Sequence, residues 1–154
     1  LTDDNIMDWY YKGEAMTSLE DFPPSTFGFV YRVIHEPTGK IYIGKKVLQF
    51  NRKAKLTKKD LALYEGEKGR KPTFKKVTKE SDWKTYYGSH KEILALIKDG
   101  KQEDFKREIL TCVSSKKLLT YEETKALFIY EVLQRPNEYF NDNILGKFFR
   151  KDFD

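Results

Sequence analysis

Two short runs rich in aliphatic and aromatic residues, Phe29–Ile34 and Lys40–Lys45, read as strands. Between them Glu36-Pro37-Thr38-Gly39 supplies turn chemistry: Pro37 pre-sets its own backbone angle and Gly39 tolerates a positive one. Further on, Ile93, Leu94, Leu96 and Ile97 recur at helical spacing. Ser89 and Glu92 before them fit a capping box, and Gly100 marks the stop. The run Phe105–Val113 predicts a third strand, and a second long helix is expected from about Tyr121 to Gln134, ended by Pro136. Upstream, residues 1–27 form an acidic extension, with one short helix expected near Asn5–Tyr11 and no helix surviving Phe22-Pro23-Pro24-Ser25. Residues 46–82 hold no long periodic segment, only a short helix capped near Thr57 and broken at Gly66 and Gly69. The order strand, strand, insert, helix, strand, helix predicts an α+β fold: a small, mainly antiparallel three-stranded sheet flanked by helices.

Composition narrows the chemistry. The 154 residues suit a single domain, expected as residues 28–142 between the extension and a tail at 143–154, with an enlarged basic insert at 53–88. No apolar stretch approaches the roughly 20 residues of a membrane span, and no basic-then-apolar leader is visible. Cys112 is the only cysteine and His35 and His90 the only histidines, which excludes an internal disulfide, a cysteine zinc site and a histidine-rich metal cage. An intracellular, cytoplasmic protein is expected. The net charge of +5 is unevenly spread: residues 1–28 carry six acids against one lysine, and residues 45–91 carry fifteen Lys/Arg against five Asp/Glu. A basic block of this density suits a polyanion such as nucleic acid, and equally a solvated lysine-rich loop.

The hairpin aims its side chains. With His35 opposite Lys40, Tyr42 faces Val33 and Gly44 faces Tyr31. Both tyrosines then project from one face as diagonal neighbours, with Cα atoms roughly 7–8 Å apart. Gly44 leaves open space across from Tyr31, so two phenols beside a gap could bracket a reacting group; an ordinary tyrosine-rich strand pair explains the pattern as well.

These residues resemble the signature of the GIY-YIG endonuclease superfamily, in which a three-residue element ending in tyrosine is followed, after a short turn, by Tyr-Ile-Gly. Phe29-Val30-Tyr31 stands for the first element, with Phe29 in place of its glycine, and Tyr42-Ile43-Gly44 for the second. Arg52, Glu123 and Asn141 then follow in the family's order, and the pattern including Trp83–Leu94 is most similar to stand-alone phage homing-type members. The resemblance implies a metal-dependent DNA endonuclease acting in a bacterial or phage-infected host, with one Mg²⁺ (or Mn²⁺) held by a single glutamate and double-stranded DNA as partner. A non-catalytic nucleic-acid-binding module retaining the fold is the alternative.

The resemblance also assigns roles. Glu123 becomes the metal ligand, although Thr120 to Glu123 also fits a capping box, and Glu122 is the substitute if the helix is rotated. Arg52 offers a planar fork to phosphate, and Lys45 is a second contact to the phosphate or its water. Tyr42 is the candidate to relay a proton from the attacking water and Tyr31 to orient the water or Tyr42; the choice of base between the two tyrosines stays open, with His90 able to replace or assist a tyrosine as base. Asn141 holds the geometry by hydrogen bonds. The phenols are expected on the same side of the hairpin as the carboxylate. Trp83, Tyr86 and Tyr87 read as packing residues. Lys46, Lys53, Lys55, Lys58, Lys59, Arg70, Lys71, Lys75, Lys76 and Lys79 are expected to track DNA phosphates.

Overall fold

The computed structural model describes residues 7–65, 69 and 72–154. Two compact units result: a larger one that runs to Leu48 and resumes at Asp82, and a smaller one, Gln49–Ser81. In chain order the elements are β1 (Trp9–Tyr11), β2 (Glu14–Met16), β3 (Gly28–His35), β4 (Lys40–Val47), β5 (Gln49–Lys55), α1 (Lys58–Ala62), β6 (Phe74–Glu80), α2 (Lys91–Lys98), β7 (Phe105–Val113), α3 (Lys116–Ile129), β8 (Asn143–Ile144) and β9 (Phe148–Phe149). The central sheet of the larger unit has the order β2-β1-β7-β3-β4. Every neighbouring pair is antiparallel except β1 with β7. The fold class is the expected one, α+β with a mainly antiparallel sheet, and two N-terminal strands extend the three expected strands to five.

The hairpin register is also as expected. His35 pairs with Lys40, Val33 with Tyr42 and Tyr31 with Gly44. The helix expected near residues 5–11 is instead strand β1. Trp9, Tyr10 and Tyr11 favour a pleated surface, and Lys12 (φ 51°) and Gly13 (φ 83°) form a two-residue turn with both central angles positive, which folds β2 back on β1. Trp9 anchors this hairpin. It is 1% exposed, its indole N–H donates to the Trp83 carbonyl at 2.7 Å, and its ring meets Phe29 and Tyr31 edge-on.

Both helices of the larger unit start elsewhere than predicted. Helix α2 is capped by His90, whose Nδ1 accepts the Glu92 amide at 3.2 Å, in place of Ser89. Helix α3 begins at Lys116, because Ser115 accepts the Leu118 amide at 3.2 Å. It ends at Ile129, shortly before Glu131 takes a positive φ of 54°. Apolar side chains bury both faces of the sheet. Tyr31, Phe29 and Val33 pack with Trp83, Ile93 and Ile97 on one face, and Val30 and Ile43 pack with Leu119 and Leu127 of α3 on the other.

Arg107 of β7 lies inside this core, 1% exposed. Its guanidinium sits over the Tyr87 and Trp9 rings, 4.1 and 4.7 Å from their centroids. It donates to the carbonyls of Lys84, Tyr86 and Met7, so fixed dipoles and ring faces replace a carboxylate partner. Burial lowers its pKa to about 10, which leaves it charged at neutral pH. The arginine thereby fastens the residues before α2 and the start of β1 to the sheet.

The smaller unit is a ribbon where no regular strand was expected. Strands β5 and β6 pair antiparallel over seven positions, from Gln49 opposite Glu80 to Lys55 opposite Phe74. Lysine and threonine carry much of the period-two pattern here, so no apolar alternation marks it. The short helix is where it was expected: Thr57 accepts the Asp60 amide, and Asp60 returns the bond to the Thr57 amide at 2.9 Å.

Candidate active site

The free edge of β4 is where the chemistry collects. Residues 138–141 add to that edge in parallel: Ile41 donates its amide to the Glu138 carbonyl at 2.9 Å, and Phe140 donates to the Ile41 carbonyl at 2.8 Å. Asn141 continues the ladder with its side chain. Its Oδ1 accepts the Ile43 amide at 3.0 Å and its Nδ2 donates to the Ile43 carbonyl at 2.8 Å. The residue between Tyr42 and Gly44 is thus fixed at both backbone polar groups. Arg150 secures the same segment from the C-terminal side, donating to the carbonyls of Asn141 (3.1 Å) and Tyr139 (2.9 Å). No motif at Arg150 pointed to this role.

A cleft of about 550 Å³ opens at this edge, lined by Tyr42, Lys45, Ser89, His90, Glu123, Asn141 and Asp142 among others. A cavity of about 610 Å³ beside β1 is larger, but the ion pair of Arg32 with Glu108 (2.6 Å) neutralises two of the charges on its wall.

The side-of-hairpin expectation fails. Helix α3 packs on the face opposite the phenols, because Ile43 and Lys45 alternate with Tyr42 and Gly44 along β4. The cleft wraps the strand edge instead, so Tyr42 and Glu123 line it from the two faces. Glu123 sits in the second turn of α3, away from the cap that Ser115 provides, so its side chain is not spent on a capping box. The carboxylate is mostly buried, and Lys45 Nζ is 3.8 Å from its Oε1 and donates to Thr120 Oγ1 at 3.2 Å. Burial raises the Glu123 pKa above its ordinary value, and Lys45 only partly offsets this. Among the described residues Glu122 has no polar contact to the cleft lining, and it borders a separate, smaller hollow with Lys125 and Tyr130.

The two phenols are unequal. Tyr31 is 1% exposed and packs edge-on against Trp9 and Tyr86, with its ring centroid 6.3 Å from that of Tyr42. No gap remains beside it: a Cβ on Gly44 would overlap its hydroxyl and lie 2.7 Å from Cζ. Gly88, at φ +102°, lies close to both rings, and a Cβ there would come within 3.3 Å of the Tyr31 hydroxyl and of Tyr42 Cδ2. Burial pushes the Tyr31 pKa well above 10, and burial also raises that of Tyr42 despite its Ser89 contact. Tyr42 keeps its hydroxyl 3.3 Å from Ser89 Oγ. The shift of the α2 cap to His90 is what leaves the Ser89 hydroxyl available for that contact.

His90 is buried, and both ring nitrogens are engaged. Because Nδ1 accepts the Glu92 amide, Nε2 carries the proton and meets Asp142 Oδ2 at 3.0 Å. Its ring lies 5.9 Å from that of Tyr42. Asp142 follows Asn141 directly and had no sequence signal of its own. Lys46, expected on phosphate, instead pairs with Asp82 and covers the Tyr86 ring at 4.1 Å. Trp83 and Tyr87 are buried packing residues, as expected.

Arg52 belongs to the smaller unit, exposed on β5 opposite Val77. Lys53, Lys55, Lys58, Lys59, Lys76 and Lys79 are exposed there too, while Lys75 pairs with Asp60 at 2.8 Å. Arg70 and Lys71 lie outside the described residues.

Among the described residues no three His, Cys, Asp or Glu side chains cluster as a metal cage, and no helix is long and apolar enough to cross a membrane. The donor set fits Mg²⁺ or Mn²⁺ nonetheless. A hard carboxylate lies mostly buried in an open cleft with one lysine 3.8 Å away to balance it, and such ions retain several waters beside one or two carboxylates. No curated protein and no solved structure matches the chain significantly. A family model does, that described as "Putative endonuclease segE, GIY-YIG domain", over residues 9–144.

Proposed function

Because the chain belongs to the GIY-YIG endonuclease superfamily, in its segE branch, we propose that it is a metal-dependent endonuclease that hydrolyses phosphodiester bonds in double-stranded DNA, of the homing type. The observation that carries this reading is the cleft at the β4 edge, where Tyr42, Lys45, Glu123 and Asn141 meet within the matched residues. Glu123 would hold Mg²⁺ or Mn²⁺, which when bound supplies charge neutralisation and a polarised water.

The protein's own groups do the rest. Tyr42 is protonated in the resting cleft, so a stored phenolate is not the base. Its hydroxyl takes the proton of the attacking water while passing its own to Ser89 Oγ, and Ser89, open to solvent, releases its hydroxyl proton to bulk water. Tyr31, sealed in the core, fixes the position of Tyr42 and does not touch the water. Lys45 neutralises a phosphate oxygen, and Arg52, on the smaller unit, offers two parallel donors suited to a DNA phosphate. The exposed lysines of the smaller unit contribute salt-dependent affinity for the DNA backbone.

Nicking of supercoiled plasmid in Mg²⁺ tests the proposal. The parent chain is expected to cut and Glu123→Ala to have lost cutting while still binding DNA. A parent that binds DNA but never cuts with any common divalent ion is a binding module that retains the fold.

A further inference from the structure

The two faces of the β5–β6 ribbon differ in a way that nuclease chemistry does not require. Directly paired residues share a face. On one face Phe50 pairs with Lys79, Arg52 with Val77 and Ala54 with Lys75, and α1 is fastened there by the Lys75–Asp60 ion pair. On the other, Lys53 lies directly opposite Lys76, Lys55 opposite Phe74, which is 54% exposed, and Glu80 opposite Gln49 where the ribbon begins. Like charges on paired positions repel, and none of these three lysines has an ion-pair partner among the described residues. One row further along, Thr78 donates to Asn51 Oδ1 at 2.9 Å, and the Asn51 amide nitrogen has no partner among the described residues. Both faces carry three cations and an exposed phenylalanine, but α1 is tied to the first, whereas on the second the paired lysines stand between Phe74 and an amide whose donors are unclaimed among the described residues.

Resting on the reading of the substrate as duplex DNA, we propose that this ribbon enters the major groove with the face of Asn51, Lys53, Lys55, Phe74, Lys76 and Thr78 turned to the DNA. A two-stranded ribbon fits the roughly 12 Å width of that groove, whereas the deep, narrow major groove of duplex RNA excludes it. Phosphates on the groove walls relieve the Lys53–Lys76 repulsion. Asn51 is placed to donate to a base edge, with its carbonyl already held by Thr78. The ribbon thus gives the nuclease a reading element of its own, separate from the cutting cleft.

The test uses the full chain carrying Glu123→Gln, so that binding is measured without cutting. Duplex DNA affinity is read by fluorescence anisotropy across a salt series. Adding K53Q/K55Q/K76Q is expected to weaken binding by at least about tenfold and to make the log–log salt slope shallower by about 2.7. K58Q/K59Q/K79Q removes the same charge away from that face and should cost several-fold less. All six lysines are exposed, so circular dichroism is expected to show both triples folded. In dimethyl sulfate interference, methylation at guanine N7 in the major groove should block binding, and methylation at adenine N3 in the minor groove should not. Equal losses from the two triples, interference only at adenine N3, or equal affinity for duplex RNA would overturn the ribbon's role while leaving the nuclease reading intact. Failure of the Glu123→Gln chain itself to bind duplex DNA would instead overturn the DNA reading on which the ribbon proposal rests.

Discussion

The Tyr31 phenol lies across Gly44 and fills the space any larger side chain at that position would need. The glycine is thus a packing partner of the ring rather than the wall of a vacant pocket. Gly44→Ala is expected to cost about 1–3 kcal/mol in urea unfolding, the usual penalty of overpacking, because Tyr31 is walled in by Trp9 and Tyr86 and has nowhere to move. Tyr31→Phe, which removes only the hydroxyl, should make Gly44→Ala less costly. Additive costs in this pair would show that the overlap is not the cause.

Glu123 links pH to stability with a definite sign. Its folded pKa is raised above 4.5 by burial, so the folded chain keeps this proton to higher pH than the unfolded chain. The buried charge therefore weakens the fold progressively as pH rises through the raised value, and costs nothing below about 4.5. Glu123→Gln is expected to be more stable than the parent near pH 7 and equal to it near pH 4. Mg²⁺ should raise the parent's melting temperature and leave that of Glu123→Gln unchanged, since only the parent carries the ligand.

Asn141 replaces a backbone unit with a side chain. Asn141→Leu leaves both polar groups of Ile43 without their partner, at a cost of about 1–3 kcal/mol. Hydrogen exchange at the Ile43 amide should accelerate in this variant, while amides in the β3–β7 pairing keep their protection. An unchanged Ile43 amide would mean that another group closes the ladder.

The role proposed for Arg52 would separate binding from cutting. Arg52→Ala is expected to reduce cutting by about two orders of magnitude or more, the scale for losing a charge stabiliser in the reacting complex. DNA affinity should fall less than about threefold, as expected for one phosphate contact among many. Equal losses in both measurements would reduce Arg52 to one more backbone contact.

Much of the fold was legible in side-chain types. Strand β7 and the register of β3 with β4 followed from aliphatic runs and one turn, because a turn of fixed length leaves the pairing little choice. The misreadings are local competitions between neighbours. Ser89 and His90 can each cap α2, and Ser115 and Thr120 can each begin α3; burial and packing chose His90 and Ser115. The Lys12-Gly13 turn was present in the sequence, but with only three residues on each side it did not stand out from an acidic extension. Of the candidate site, Tyr42, Lys45, Glu123 and Asn141 were found through motif order. Ser89 and Asp142 enter only through tertiary placement, and no spacing rule could have supplied them. The ribbon stayed hidden because a polar strand pair carries no hydrophobic period.

Lys46 and Asp82 stand just before and just after the smaller unit, and their ion pair closes the doorway through which the chain leaves and returns. With the ends already tied, a longer or shorter excursion changes the closure free energy by only about 0.6 kcal/mol per doubling of length. The position is a natural grafting point: one ribbon could be exchanged for another that carries its own counterpart of Arg52 while β4, α3 and the 138–141 segment keep their own frame.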